Sequence, residues 1–256
     1  MLGPQFINPN PGIIADVRFR RALLHGIDRQ ELADTLQGGL VGVKHSLLPA
    51  NDPTYAEAEK RVVGYEFDPR RATQMIEDLG YTRGSDGVFK DASGQTLAVP
   101  MVSSPTQLYV RIGLVVADMW KQIGVEGRPT EIPAAQRSDL QLRTTFPGFE
   151  IVNQGSGIST LETVTAAETP LPENGYRGRN RSRYVNADLE TLIARYTVTI
   201  PMRERVEILG DIVHHLTDNL VYLHLFYGGA AMAIGNRLVN VNAAQNTSNG
   251  YEWDVR

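Results

Sequence analysis

The chain has 256 residues, 42% of them hydrophobic and 21% charged, and its formal net charge is −4. This composition is ordinary for a globular protein, and the acidic balance argues against a nucleic-acid-binding protein, which usually carries clustered positive charge. The absence of cysteine excludes disulfides, thiolate metal sites and cysteine nucleophiles. No apolar run reaches the roughly 18 residues of a membrane-spanning helix.

The first third of the chain predicts helices with defined ends. Apolar residues at helical spacing predict a helix from Asp16 to Leu36 that ends at Gly38, and a break near Gly26 would divide it in two. Asp68 and Pro69 predict the start of a further helix, because aspartate accepts hydrogen bonds from the first free N–H groups and proline suits the first turn.

The middle of the chain predicts alternating strands and helices. Turns at 84–87 and 91–94 predict a small hairpin. The elements that follow are predicted as strands at 97–101, 125–132 and 149–153 and as helices at 105–123 and 134–142. This order favours a largely parallel sheet with helices on its faces, and the glycine and proline in the strand at 125–132 place that strand at an edge.

The last third begins with an irregular segment, 155–183, that is rich in glycine, proline, threonine and asparagine. Helices are predicted at 186–197 and 201–218, and the apolar segments at 221–226 and 230–234 are predicted to be strands. The asparagine-rich stretch at 240–249 is predicted to be a loop.

Three segments carry a family resemblance through their order and spacing. They are the arginine-containing run from Ala15 to Arg29, the Tyr-x-x-Asp-Pro-x-x-Ala pattern from Tyr65 to Ala72, and the Asn…Tyr-x-Asn pattern from Asn180 to Leu189. Together they resemble family 5 of the extracellular solute-binding proteins, which includes dipeptide-, oligopeptide- and nickel-binding proteins. The resemblance extends over nearly the whole chain.

The resemblance implies an α/β fold, namely one lobe of a type II periplasmic-binding-protein fold. A central mixed sheet flanked by helices is expected, together with a C-terminal return segment. Family members are about twice as long as this sequence, and the three motifs belong to their later half. Residues 1–220 are therefore expected to form the C-terminal lobe, and residues 221–256 are expected to complete a first lobe that this sequence lacks.

The implied function is that of the substrate-binding component of an ABC importer. Such a protein binds a peptide-like or other small polar solute between two lobes and delivers it to the permease subunits in the membrane. No catalysis, cofactor, metal site or nucleic-acid partner is expected. The resemblance implies a periplasmic or membrane-anchored extracellular location, although the N-terminus shows no signal sequence.

Candidate ligand-binding residues lie in two loops that follow predicted strands, where open α/β sheets usually bind ligands. One loop precedes a helix N-terminus, which favours anions, and the other contains a glycine that allows the backbone to approach a ligand. The candidate residues are Ser103, Ser104, Asn153, Gln154, Gly155 and Ser156. The alternative is that both loops are ordinary caps and turns.

The loop at 153–157 departs from the family pattern. Peptide binders of the family resemble one another in carrying an Asp-rich stretch here, whose carboxylate pairs with the free amine of the peptide. This loop has no acidic residue and therefore lacks the charge-assisted hydrogen bond that would hold an ammonium group. A sugar, an N-blocked peptide or another polar solute is favoured over a peptide with a free amine.

Two other patterns are given structural interpretations. The first is a run of four alternating arginines, namely Arg177, Arg179, Arg181 and Arg183. This run is more typical of a solvated loop than of a phosphate site, and docking on a partner lobe is the next interpretation. Adjacent His214 and His215 would point in different directions on a helix, and no zinc-site spacing is present.

Two alternative functions remain open at this point. A hydrolase would need a nucleophile with its base, and the sequence has no Gly-x-Ser-x-Gly motif. A ligand sensor or interaction module could use the same fold to present its ligand to a receptor, and sequence alone does not distinguish this from transport.

Overall fold

The computed structural model describes residues 1–49, 52–155, 157–229, 234–241 and 250–256. Within these residues the α-helices are α1 (Val17–His25), α2 (Arg29–Gln37), α3 (Ala56–Glu59), α4 (Pro69–Asp78), α5 (Gln107–Gln122), α6 (Leu140–Thr144), α7 (Ala187–Val198) and α8 (Met202–Asp218). The strands are β1 (Leu2–Pro4), β2 (Thr82–Arg83), β3 (Phe89–Lys90), β4 (Ala98–Ser103), β5 (Glu126–Glu131), β6 (Phe149–Ile151), β7 (Leu238–Val239) and β8 (Asp254–Val255).

The central sheet has four strands in the order β1-β6-β4-β5. Strand β4 pairs in parallel with both β5 and β6, whereas β1 pairs antiparallel with β6. The predicted mixed sheet flanked by helices is therefore confirmed, and β5 lies at an edge as its glycine and proline predicted. The predicted hairpin is also present, formed by β2 and β3.

The predicted helix starts follow from local side-chain chemistry. The break near Gly26 separates α1 from α2, and the Asp28 carboxylate accepts a hydrogen bond from the Glu31 N–H at 2.9 Å. Asp68 accepts from the Arg71 N–H at 2.9 Å and begins α4, with Pro69 in its first turn. These carboxylates satisfy N–H groups that have no partner inside the helix.

Two clusters of buried apolar side chains form the core. The first surrounds the central sheet and the helices α1, α4 and α5, and it includes Phe19, Trp120 and Phe149. The second lies among α3, α7 and α8 and includes Leu189 and Ile212. The apolar stripes that predicted these helices are therefore the surfaces that hold the fold together.

Three predicted elements differ from the structure. The predicted helix at 134–142 is wrong, because a 3₁₀ turn at Ala134–Gln136 is followed by the short helix α6, which Asp139 caps by accepting from the Leu142 N–H. The strand predicted at 149–153 ends at Ile151. The irregular segment 155–183 contains short 3₁₀ helices, including Ile158–Val164.

The predicted strand at 221–226 is also wrong. Its backbone forms only isolated bridges, from Leu223 to Leu2 and from Phe226 to Val43. The apolar character of this segment reflects burial instead, because Leu223 belongs to the first core cluster and Val221 to the second. The division of the chain at residue 220 remains a prediction.

The last predicted elements fall largely outside the described residues. Residues 230–233 of the predicted strand at 230–234 and residues 242–249 of the predicted loop are not described. A ribbon formed by β7 and β8 was not predicted. Among the described residues, no helix combines the length and apolar composition that crossing a lipid bilayer requires.

Candidate functional site

A cavity of about 300 Å³ lies beside the carboxyl end of β6. Its walls come from β6 and the loop that follows, from α6, from the irregular segment before α7, and from the N-terminal strand. Glu150 and Arg181 contribute charged groups to it, and Asn153 and Gln154 contribute amides. The cavity therefore offers charged and amide groups at a strand end.

The second predicted loop lies at this cavity. Asn153 is exposed and lines the cavity beside Gln154, whose side-chain amide donates to the Thr163 hydroxyl. Behind the loop, the Lys44 ammonium donates to the carbonyl oxygens of Gln154 at 3.5 Å and Gly155 at 3.3 Å. Ser156 lies outside the described residues.

The two predicted serines lie elsewhere. Ser103 is buried and contributes to a different cavity, of about 190 Å³, together with Ile151 and Gly113 of α5. Ser103 and Ile151 are partners in the β4–β6 register and face α5, whereas the adjacent Glu150 faces the opposite side of the sheet. Ser104 sits in the turn before α5, and its carbonyl accepts from the Thr106 N–H. The two predicted loops therefore lie at different cavities.

A buried ion pair inside the cavity was not predicted. Glu150 is only 5% exposed, and its carboxylate lies 2.8 Å from the Arg181 guanidinium. Burial raises the pKa of Glu150 to about 7, although Arg181 and Arg143 attract its ionised form. Burial also raises the pKa of the neighbouring Tyr222 to about 12. The sequence signal for this pair was a charged residue within an otherwise apolar strand.

The arginine-rich segment is largely engaged with the protein. Arg181 pairs with Glu150, and Arg179 pairs with Glu162. Arg183 is buried and donates to the Gln5 side chain at 2.9 Å and to the Ile7 carbonyl at 3.2 Å. The solvated-loop interpretation is therefore wrong for Arg181 and Arg183, because their charges satisfy buried acceptors.

Two residues fix the backbone that presents these arginines. Gly178 has φ +136°, and a Cβ at this position would collide with the Glu168 carbonyl oxygen. Asn180 is fully buried, and its amide donates to the carbonyls of Thr165 at 3.1 Å and Tyr184 at 2.7 Å while its oxygen accepts from the Tyr184 N–H. The segment is therefore held by internal hydrogen bonds.

We expect the Glu150→Gln variant to be more stable than the wild type at pH 8 and equally stable below pH 4.5. Because the pKa of Glu150 rises from 4.5 to about 7 on folding, the folded chain binds a proton more tightly than the unfolded chain. The protonated Glu150 therefore stabilises the folded wild type. This stabilisation is fully present below pH 4.5 and is lost as the pH rises through 7, with an upper limit of about 3 kcal/mol. The free energy of unfolding in urea at pH 5 and pH 8 measures it.

The control for this prediction is Glu131→Gln, an exposed acid at the end of β5. We expect this variant to keep the wild-type dependence of stability on pH. Identical slopes for wild type and Glu150→Gln between pH 5 and pH 8 would contradict the prediction.

The chain was compared with known families and proteins. A sequence model described as "Bacterial extracellular solute-binding proteins, family 5 Middle" matches residues 2–176. The comparison with curated proteins found no match.

Solved structures of low sequence identity share the fold. AppA from Bacillus subtilis, an oligopeptide-binding protein in complex with a nonapeptide, is 16% identical with a TM-score of 0.79, and the match covers 100% of this chain and 50% of that one. NikZ from Campylobacter jejuni in complex with Ni(L-His) is 19% identical with a TM-score of 0.75, and the match covers 88% of this chain and 44% of NikZ. A periplasmic oligopeptide-binding protein from Thermotoga maritima with bound mannohexaose is 18% identical with a TM-score of 0.73. This match covers 89% of the present chain and 44% of the Thermotoga protein. The chain thus spans half or less of the length of these proteins.

Proposed function

This chain belongs to family 5 of the bacterial extracellular solute-binding proteins, and from this we infer that it is part of the substrate-binding component of an ABC importer. In this proposal the described α/β unit is one lobe of a two-lobed protein, and residues 221–256 return toward the other lobe. The proposal is supported by structural matches that cover nearly all of this chain but only 44–50% of three longer binding proteins. The protein would act outside the cytoplasm and deliver its solute to permease subunits.

The cavity beside β6 carries the proposal. It contains charged side chains, it lies at the carboxyl end of a strand, and the loop amides of Asn153 and Gln154 line it. A solute held there and covered by a second lobe would favour the closed arrangement to the extent that it contacts both lobes. Binding of this kind needs hydrogen bonds and shape and requires no nucleophile or base.

The proposed solute is peptide-like or another small polar molecule without a free amine at this loop. The loop at 153–157 has no carboxylate, and the carboxylate of Glu150 in the cavity is already paired with Arg181. A bound ammonium group would therefore lose its hydration without gaining an unpaired acid of the loop as its partner. An N-blocked peptide or a sugar forms neutral hydrogen bonds and fits this loop better. Among the solved structures that share the fold, AppA from Bacillus subtilis holds a nonapeptide, NikZ from Campylobacter jejuni holds Ni(L-His), and the Thermotoga maritima protein holds mannohexaose.

A thermal-shift screen of the full-length protein tests this function. The probes are free and N-acetylated peptides, oligosaccharides and metal chelates. We expect at least one class to raise the melting temperature, because a ligand present at 100 times its Kd stabilises the folded state by about 2.7 kcal/mol.

Two variants localise the binding site. Asn153→Ala removes an exposed amide at the cavity and should weaken binding while leaving the unliganded melting temperature unchanged. Gln141→Ala removes an exposed amide on α6 and should change neither quantity. Binding by none of the probe classes would contradict the proposed function, and binding of a dipeptide that is abolished by N-acetylation would contradict the proposed solute class.

A further inference from the structure

The cavity beside β6 contains more positive than negative charge. Three of its lining residues are arginines, Arg143, Arg179 and Arg181, and Glu150 is the one acid among its described lining residues. Arg181 is paired with Glu150 inside the cavity, and Arg179 is paired with Glu162, which is exposed. Two ion pairs therefore account for two of the three guanidinium groups.

Arg143 is the third. It lies in the last turn of α6, is half-buried, and lines the cavity. Its guanidinium attracts Glu150 through space, but within the described ranges it makes no side-chain hydrogen bond or ion pair at contact distance. A guanidinium presents several N–H donors in one plane, which matches the two oxygens of a carboxylate or phosphate. Among the described residues, Arg143 is thus a cation in the cavity wall whose donors are not taken up by a carboxylate at contact distance.

Two further cationic side chains, those of Lys44 and Arg29, lie behind the loop at 153–157. Lys44 is buried there, with its ammonium near the carbonyls of Gln154 and Gly155, and buried Arg29 donates to the carbonyl oxygen of Tyr65. Charges in a partly dry environment act over several ångströms because water screens them less. A cationic group entering the cavity would meet repulsion from both sides of the loop, whereas an anionic group would be attracted.

We propose that the cavity beside β6 binds an oxyanion of the solute, a carboxylate or a phosphate, with Arg143 as its charged partner and the Asn153 and Gln154 amides beside it. This inference rests on the proposed function, because it specifies the charge of the solute bound at the same site. The cavity volume of about 300 Å³ is at the lower end for ligand sites, so it accommodates an end group or a single sugar unit.

Matched solute pairs on the full-length protein test the charge preference. One pair is an N-acetylated tripeptide with a free C-terminal carboxylate and the same peptide as its C-terminal amide. The other set is glucuronate and glucose 6-phosphate against glucose, which separates carboxylate from phosphate recognition. We expect the anionic member of at least one set to bind at least tenfold more tightly than its neutral partner, with a preference that decreases at high salt.

The variant Arg143→Gln identifies the charged partner. It should reduce the preference for the anionic solute about tenfold. It should lower the melting temperature of the unliganded protein only slightly, through the lost attraction for Glu150, because Arg143 is half-exposed and makes no ion pair at contact distance with the described residues. Arg111→Gln, an exposed arginine on α5 away from the cavity, should leave the preference intact.

The outcomes separate this inference from the proposed function. Equal binding of neutral and anionic members, or an anion preference that survives Arg143→Gln, overturns the oxyanion site while the solute-binding function stands. Tightest binding by a solute with a free amine overturns the oxyanion site as well. Failure of every solute in both this set and the wider screen contradicts the binding function itself.

Discussion

Replacing Asn180 with alanine is expected to lower the free energy of unfolding by about 3 kcal/mol and to loosen the segment that carries Arg179 and Arg181. The Asn180 side chain is fully buried and satisfies the carbonyls of Thr165 and Tyr184 and the N–H of Tyr184. A buried polar group that loses its partner costs about 1–3 kcal/mol, and alanine leaves several such groups unsatisfied. Urea unfolding at pH 7 measures the loss.

A second readout makes this prediction specific to the segment. Amide hydrogen exchange across residues 165–184 should become faster in Asn180→Ala, because the hydrogen bonds that close this segment are lost. Asn236→Ala, an exposed asparagine, serves as the control and should unfold like the wild type. A stability within 1 kcal/mol of wild type, with unchanged exchange, would show that the segment is held by other contacts.

Replacing Trp120 with alanine is expected to destabilise the chain by about 3–5 kcal/mol, the usual range for removing a fully buried aromatic side chain. Trp120 has no exposed surface, and its ring centroid lies 5.7 Å from that of Phe149. Its Nε1 donates to the Leu23 carbonyl at 3.1 Å. The substitution would leave a cavity between α5, β6 and α1 and an unsatisfied carbonyl. Chemical denaturation of the purified variant measures the change.

Leu114→Ala is the matched control on the same helix. Leu114 is 57% exposed, so its truncation removes little buried area and should cost less than about 1 kcal/mol. A Trp120→Ala variant no less stable than Leu114→Ala would contradict the assignment of Trp120 as a core residue.

Local chemistry made part of the fold predictable from the sequence. The break at Gly26 and the start of α4 at Pro69 were predicted because Asp28 and Asp68 act within one helical turn of their own positions. The parallel β4 and β5 were predicted because a helix between two strands returns the chain to the same sheet.

Long-range pairing explains what was missed. Strand β1 exists because Leu2 and Gly3 pair with Ile151 and Glu150, residues that lie far along the chain. The segment at 221–226 has the composition of a strand, yet its burial comes from two separate clusters. Neither fact is encoded in the neighbouring sequence.

The distinction between local placement and long-range contacts also applies to the candidate site. The position of Asn153 and Gln154 at the carboxyl end of β6 was predictable because residues that follow a strand are placed by the strand itself, and their binding role stays a prediction. Ser103, the candidate in the other loop, faces α5 and a different cavity, and its placement was not predictable because the side of the sheet that a strand-end residue faces depends on register. The pair of Glu150 and Arg181 joins two segments whose approach depends on Gly178 and Asn180, so spacing could not reveal it.

Lys44 has a mechanical role beyond its charge. Its backbone N–H donates to the Leu225 carbonyl at 3.1 Å, while its ammonium reaches the carbonyls of Gln154 and Gly155. One residue thereby links the loop at the cavity to the segment at 221–226, and Leu223 in turn is bridged to Leu2. The loop, the first strand and the stretch after α8 are therefore expected to fluctuate together as one cooperative unit.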